Sequence, residues 1–298
     1  MKKISTYTAA AILILSRLYA YALYVPPENE SAAATLVCCL LLNAVKLLLL
    51  IPLVRLIDKN KEPYGNIASA VLFAVSFTAL ITSGYGFINL CSSVYHDRFS
   101  TLGIRIIWFA VCAYTASMGL TGVSRASGFM VFAFTGVILL TFIGMRHYML
   151  PDRPIQNAIS YEEIADGIKR MLPQLFDIPI LIGLIPHIKA HPDKCTELYI
   201  TFDSIICTIV FLMYSAVLGD FHSKAGYPIF TLFSCTEGTI IDRADGVFIA
   251  ITCACGMVTA AVLLIIISDC VKKIIKKENT NTIVSAAAAL STLMLICL

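Results

Sequence analysis

The sequence predicts an all-α, polytopic membrane protein, and three observations carry that prediction. Of its 298 residues, 58% are hydrophobic and only 14% charged, against about 25% charged in a soluble domain. Apolar runs long enough to cross hydrocarbon recur along the whole length. These runs are too long and too uniform for barrel strands, which leaves helices as the structures that pair every backbone group in lipid.

Taken in order, the chain reads as a single transmembrane domain over 1–298 with about nine spans. The first covers 8–25 and carries Arg17 near its middle. Tyr19, Tyr21 and Tyr24 stand where a signal peptide would need small cleavage-site residues, so this span reads as a retained helix. Pro26-Pro27-Glu28-Asn29-Glu30 marks an acidic turn before span two, 33–56, which contains Lys46. Span three, 67–94, includes Ser83-Gly84-Tyr85-Gly86, small residues that allow close helix approach, with a phenol expected inside the bundle. Span four is 102–120. A turn at Thr121-Gly122-Val123-Ser124-Arg125 leads to span five, 129–148. The longest polar segment follows, and within it Ser160–Ile168 reads as a short amphipathic helix at the interface.

Span six, 172–188, holds Pro173, Pro179 and Pro186. Each proline removes a helical hydrogen bond and crowds the preceding turn. The span reads either as broken near mid-membrane or as a kinked helix started by its first proline. Broken membrane helices line cavities, and transporters use their free backbone groups to hold substrates. Span seven is 198–218, with Asp203 expected at a water-facing helix end. A mixed apolar and polar connection at 221–242 precedes span eight, 244–268. Span nine is 282–298. The larger share of Lys and Arg, including Lys2-Lys3 and the Lys272–Lys277 run, falls on one side of this topology. That side is cytoplasmic by the positive-inside rule, with the N-terminus on it.

A guanidinium at the bilayer centre costs at least ~2.5–3.5 kcal/mol, so Arg17 must face protein, water or a ligand. Asp177, in span six, is its expected counterpart. The two form a structural ion pair, or they flank a zwitterionic ligand, Arg17 toward a carboxylate and Asp177 toward an amine. Lys46 is expected to face the bundle in a structural role. The eleven cysteines sit mostly within spans as small buried hydrophobes. With no C-x-x-C pair and no ligand spacing among the histidines, no metal site or cofactor is expected. No catalytic motif points to an enzyme, and the basic run is a topology signal near lipid rather than a nucleic-acid site.

Gly226-Tyr227-Pro228-Ile229-Phe230-Thr231-Leu232, followed by Ile240-Ile241-Asp242-Arg243-Ala244-Asp245-Gly246-Val247-Phe248, resembles the B subunits of spore nutrient-germinant receptors. Ile14-Leu15-Ser16-Arg17-Leu18 with Leu23-Tyr24-Val25-Pro26 is similar to that family's first helix, and Leu172-Pro173 to Ile185-Pro186 to its proline-bounded sixth. The family lies in the amino acid–polyamine–organocation superfamily. The resemblance implies an inverted-repeat, amino acid transporter-like fold with helices one and six broken, here lacking the last helix. It implies a germinant-sensing subunit in the spore inner membrane, with a small nutrient, an amino acid, as ligand and A and C subunits as partners. The alternatives are a cation-coupled amino acid transporter and a degenerate structural subunit. The ligand residues it implies are Ser16, Arg17, Tyr19 and Ala20 on helix one and Leu175, Phe176 and Asp177 on helix six. Tyr85 is added by location. Where the family often has a glycine pair on helix one, this chain has Tyr19 and Tyr21, which are expected to fill the space that glycines leave open.

Overall fold

The computed structural model describes residues 3–26, 31–59, 65–95, 100–145, 159–235 and 245–275, with Ala287 besides. The expected ninth span, the turn at 27–30, the loop at 60–64 and the Asp242-Arg243 stretch lie outside these residues, Ala287 apart.

The described residues form ten α-helices: α1 (Thr6–Ala22), α2 (Ala32–Lys59), α3 (Asn66–Tyr95), α4 (Thr101–Ser117), α5 (Gly119–Met145), α6 (Tyr161–Met171), α7 (Asp177–Leu184), α8 (Pro192–Met213), α9 (Pro228–Ser234) and α10 (Asp245–Ile275). Five stretches are long and apolar enough to cross a membrane: Ala32–Lys59, Asn66–Val94, Gly119–Met145, Pro192–Leu218 and Gly246–Ile274. Thr101–Ser117 and Asp177–His187 are shorter and apolar. The chain is therefore an integral membrane protein built as an all-α bundle.

Local sequence sets the helix ends. Ser5 caps α1 by accepting a hydrogen bond from the Thr8 amide. Ser160 caps α6 in the same way through Glu163 N–H. Glu162 and Glu163 in the first turn of α6, with Lys169 and Arg170 in the last, complement the helix dipole. The amphipathic helix expected here is α6, and it lies against α2, where Cys38 Sγ reaches the Ile164 carbonyl.

Span six is broken. Beyond α6 the chain tightens into a 3₁₀ turn at Leu172–Gln174, loses helical pairing at Leu175 and restarts as α7 at Asp177. Pro173 and Pro179 deny the backbone the amides that would carry one helix through. The first helix departs from expectation: α1 is unbroken from Thr6 to Ala22. The turn expected at 121–125 is also displaced. Gly122 is helical, and α4 gives way to α5 at Gly119, whose φ of +76° is open to glycine and strained for other residues.

Helix α1 is the central element, with 13 of its 17 residues buried. It packs between α8, α5 and α10 and runs antiparallel to α7. At one end Ile4 N–H donates to the His187 carbonyl and Lys189 N–H to the Ile4 carbonyl. At the other, Gln174 Nε2 donates to the Leu23 carbonyl, an acceptor left free by the end of α1. Helix α2 packs on α8, while α3, α4 and α5 pack around α10.

Close approach of α10 to α1 depends on Gly256. A Cβ there would stand 2.6 Å from both the Trp108 and Tyr19 rings. Gly256→Ala is expected to lose about 1–3 kcal/mol through overpacking, read as a lower midpoint of thermal unfolding in detergent. Unfolding at the wild-type temperature would contradict this packing.

Candidate functional site

Two features converge where α1 meets the broken span: a cluster of buried charges on one side of α1, and an aromatic block on the other.

The charge cluster joins four helices. Arg17 of α1 lies with its Nε 3.4 Å from Asp203 Oδ2 of α8 and its Nη1 3.9 Å from Asp177 Oδ1 of α7. Lys46 Nζ of α2 donates to Asp177 Oδ2 at 2.7 Å and to Tyr199 Oη at 3.2 Å. Tyr199 donates in turn to Asp177. Tyr21 Oη donates to Asp203 Oδ1 at 2.8 Å, and its ring lies 4.6 Å from the guanidinium carbon of Arg17. All four charged residues are at most 4% exposed. Two cations face two carboxylates, so the cluster is neutral as a whole. It is incompletely hydrogen-bonded, since Arg17 Nε, Asp177 Oδ1 and Asp203 Oδ2 have no hydrogen-bond partner among the described residues.

Arg17 and Asp177 are thus brought together as the sequence predicts, but Asp177 is bound more closely by Lys46. Asp203 is corrected from a water-facing helix end to a buried member of the cluster. Helix α8 begins at Pro192, earlier than expected, which carries Asp203 inward. Sequence reading missed Tyr199 and Tyr21 as members. The signal was present: Arg17 and Tyr21, like Tyr199 and Asp203, are four residues apart and share a helix face.

The aromatic block lies between α1, α3, α4, α7 and α10. Tyr19 donates through its hydroxyl to the Ser83 carbonyl at 2.8 Å. Its ring centroid is 6.5 Å from Trp108 and 6.1 Å from Phe176, and Trp108 stacks on Phe87 at 3.9 Å. Tyr19 therefore fills space beside the broken span, as expected of a tyrosine in place of glycine. Tyr21 does not share that space. It turns to α8, edge-on to Phe211.

Behind Phe176 is an open groove of about 370 Å³. Leu172, Leu175, Phe176 and Pro179 line it on the broken span, and Thr78 and Thr82 on α3. The expected residues divide accordingly. Leu175 and Phe176 line the groove; Tyr19 packs behind Phe176; Arg17 and Asp177 sit in the cluster. Ser16 bonds the Leu13 carbonyl of its own helix, and Ala20 is buried. Tyr85 is corrected: it is 48% exposed, not inside the bundle, and does not line this groove.

The family model for spore germination proteins, the spore permease family, matches residues 36–298. The chain belongs to that family. It is a germination-related integral membrane protein. No curated protein matches it. The match spans α2 through α10 and so includes Lys46, Asp177, Tyr199 and Asp203.

Removing one partner of a buried ion pair leaves an uncompensated charge, at ~3–5 kcal/mol. Lys46→Met and Asp177→Leu are each expected to destabilise the protein by about that amount, and Lys46→Met with Asp177→Leu to recover most of the loss. Chemical denaturation of the four proteins in a double-mutant cycle checks this. Strictly additive losses would show that the two residues do not act as a pair.

Proposed function

We propose that this germination protein is the nutrient-sensing membrane subunit of a spore germinant receptor, and that its ligand is a small nutrient, an amino acid. The observation that carries this reading is the break in span six. It puts Leu175 and Phe176 on an open groove while the next residue, Asp177, is held in the buried charge cluster. A ligand that moves Phe176 therefore pulls on a residue bonded to α2 and α8. Arg17, Tyr19 and Asp177 transmit this motion in our reading, with Leu175 and Phe176 touching the ligand and Ser16 and Ala20 forming the packed support on α1.

The antiparallel pairing of α1 with α7 supports an inverted-repeat, transporter-like arrangement, with α1 and the broken span as equivalent elements. In this reading the chain makes about nine spans, its N-terminus is cytoplasmic, it resides in the spore inner membrane and it acts with A and C subunits. Cation-coupled transport is the weaker reading, because Lys46 and Arg17 already compensate both mid-membrane carboxylates. A structural subunit without a ligand has one specific observation in its favour, the filling of the α1–α10 contact by Tyr19.

The test is germination of a strain lacking the gene across a panel of single nutrients. The expected result is loss of response to at least one amino acid, restored by the wild-type gene and not by a Leu175→Trp version that obstructs the groove. Normal germination with every nutrient would overturn the sensing role. Full restoration by Leu175→Trp would leave the role but remove the groove as its site.

A further inference from the structure

The far end of the broken span carries an ionisable group that the buried cluster does not use. His187 closes the 3₁₀ turn Ile185–His187 that follows α7. Its Nε2 lies 3.2 Å from Asp269 Oδ2 of α10, and Lys272 Nζ lies 3.6 Å from the other oxygen of that carboxylate. The approach is set one turn earlier. Gly183 of α7 meets Ile266 of α10 so closely that a Cβ on the glycine would stand 2.6 Å from the isoleucine side chain. His187 is four residues on from Gly183 and Asp269 three on from Ile266, so the faces that meet at the glycine also carry the pair.

The pair links two groups of helices. The buried cluster holds α1, α2, α7 and α8 to one another, while α3, α4 and α5 pack around α10. The ion pairs of Arg17, Lys46 and Arg55 stay within the first group. The pair of His187 with Asp269 crosses to the second. The start of the chain hangs on the same place. Ile4 N–H donates to the His187 carbonyl at 2.8 Å, Lys189 N–H to the Ile4 carbonyl at 3.0 Å, and Thr6 Oγ1 to the Ala190 carbonyl at 2.6 Å.

The strength of this link depends on a proton. Asp269 Oδ2 has no hydrogen-bond partner among the described residues. Its contact with the imidazole is therefore one of charge, which a neutral ring does not supply. The two side chains are 15% and 23% exposed, so water reaches them. The other charged and titratable groups on the elements packed here are Lys272 and Lys273 on α10, Lys3 before α1, Arg55, Asp58 and Lys59 at the end of α2, and Lys189, His191, Asp193 and Lys194 leading into α8. Among side chains of these types, histidine is the one whose charge ordinarily changes between about pH 5 and 8.

We propose that His187 and Asp269 form a proton-dependent clasp between the broken span and α10. With the imidazole protonated the clasp is closed. With the proton lost, the end of α7 and the strap at Ile4 loosen from α10. The added stability is thus present at low pH and lost as pH rises. The proposal rests on the geometry of this one contact and does not depend on nutrient sensing.

The experiment is hydrogen–deuterium exchange of the full chain in lipid nanodiscs, at about pH 5.5 and about pH 8. The Ile4 and Lys189 amides report opening directly, because both are bonded across the strap. Comparing wild type with His187→Gln at one pH cancels the intrinsic pH dependence of exchange. At the lower pH the variant is expected to exchange at these amides about threefold faster than wild type, as suits a partly exposed ion pair. At the higher pH the two are expected to exchange alike. Asp269→Asn is expected to match His187→Gln, and the double variant to show no further loss. A difference of equal size at both pH values would show a purely structural role and overturn the proposal. So would equal rates at both pH values, strictly additive effects of the two substitutions, or a pH dependence that survives in His187→Gln and disappears in His191→Gln.

Discussion

Among the described residues four charged side chains are fully buried, and none of them can leave the cluster they form. Arg17, Lys46, Asp177 and Asp203 come from four different helices, and each is buried to within a few per cent. A lone charge at such depth is unfavourable by several kcal/mol. Each is therefore held to the others, and with them α1, α2, α7 and α8 are held to one another. Burial this complete does not imply high stability, because desolvation offsets much of the mutual attraction. It does impose specificity: a sliding helix would carry a charge away from its partner.

The break in span six gains its meaning from that constraint. With the chain unwound between Gln174 and Asp177, Leu175 and Phe176 reach the α3 groove while Asp177 remains anchored inside. Leu175 on the groove and Asp177 in the core are two residues apart, with the buried Phe176 between them. The unbroken α1 behind them offers a rigid back wall. Its Tyr19 is fitted against Gly256, so the glycine that permits close approach stands on α10 rather than on α1.

Much of this was legible in the sequence, and the failures have physical causes. Apolar length alone located the long helices. Proline density located the break. The amphipathic pattern of Ser160–Ile168 located the short helix before the break. Arg17 demanded a counter-charge, and Asp177 was the right residue to suspect, although Lys46 holds it more tightly. Asp203 was misread because the start of α8 was placed too late. Counted from Pro192 it lies about 16 Å along the helix, deep in the span. Tyr85 was misread because small residues mark a close helix contact without saying which side of the helix makes it. The continuity of α1 was hidden for another reason: the resemblance implied a break, but residues 6–22 contain neither proline nor glycine to make one.

The central claim is that a nutrient acts where α1 meets the broken span. The chain offers a built-in reporter, since its one tryptophan, Trp108, packs against Tyr19 and lies close to the contact with Phe176. The most direct measurement is a titration of the purified full chain in lipid nanodiscs with the amino acid that triggers germination, following Trp108 emission. The account predicts a saturable change in emission that is lost in Phe176→Ala and absent for amino acids that do not trigger germination. An emission spectrum unmoved by the triggering amino acid, at concentrations that germinate spores, would contradict it.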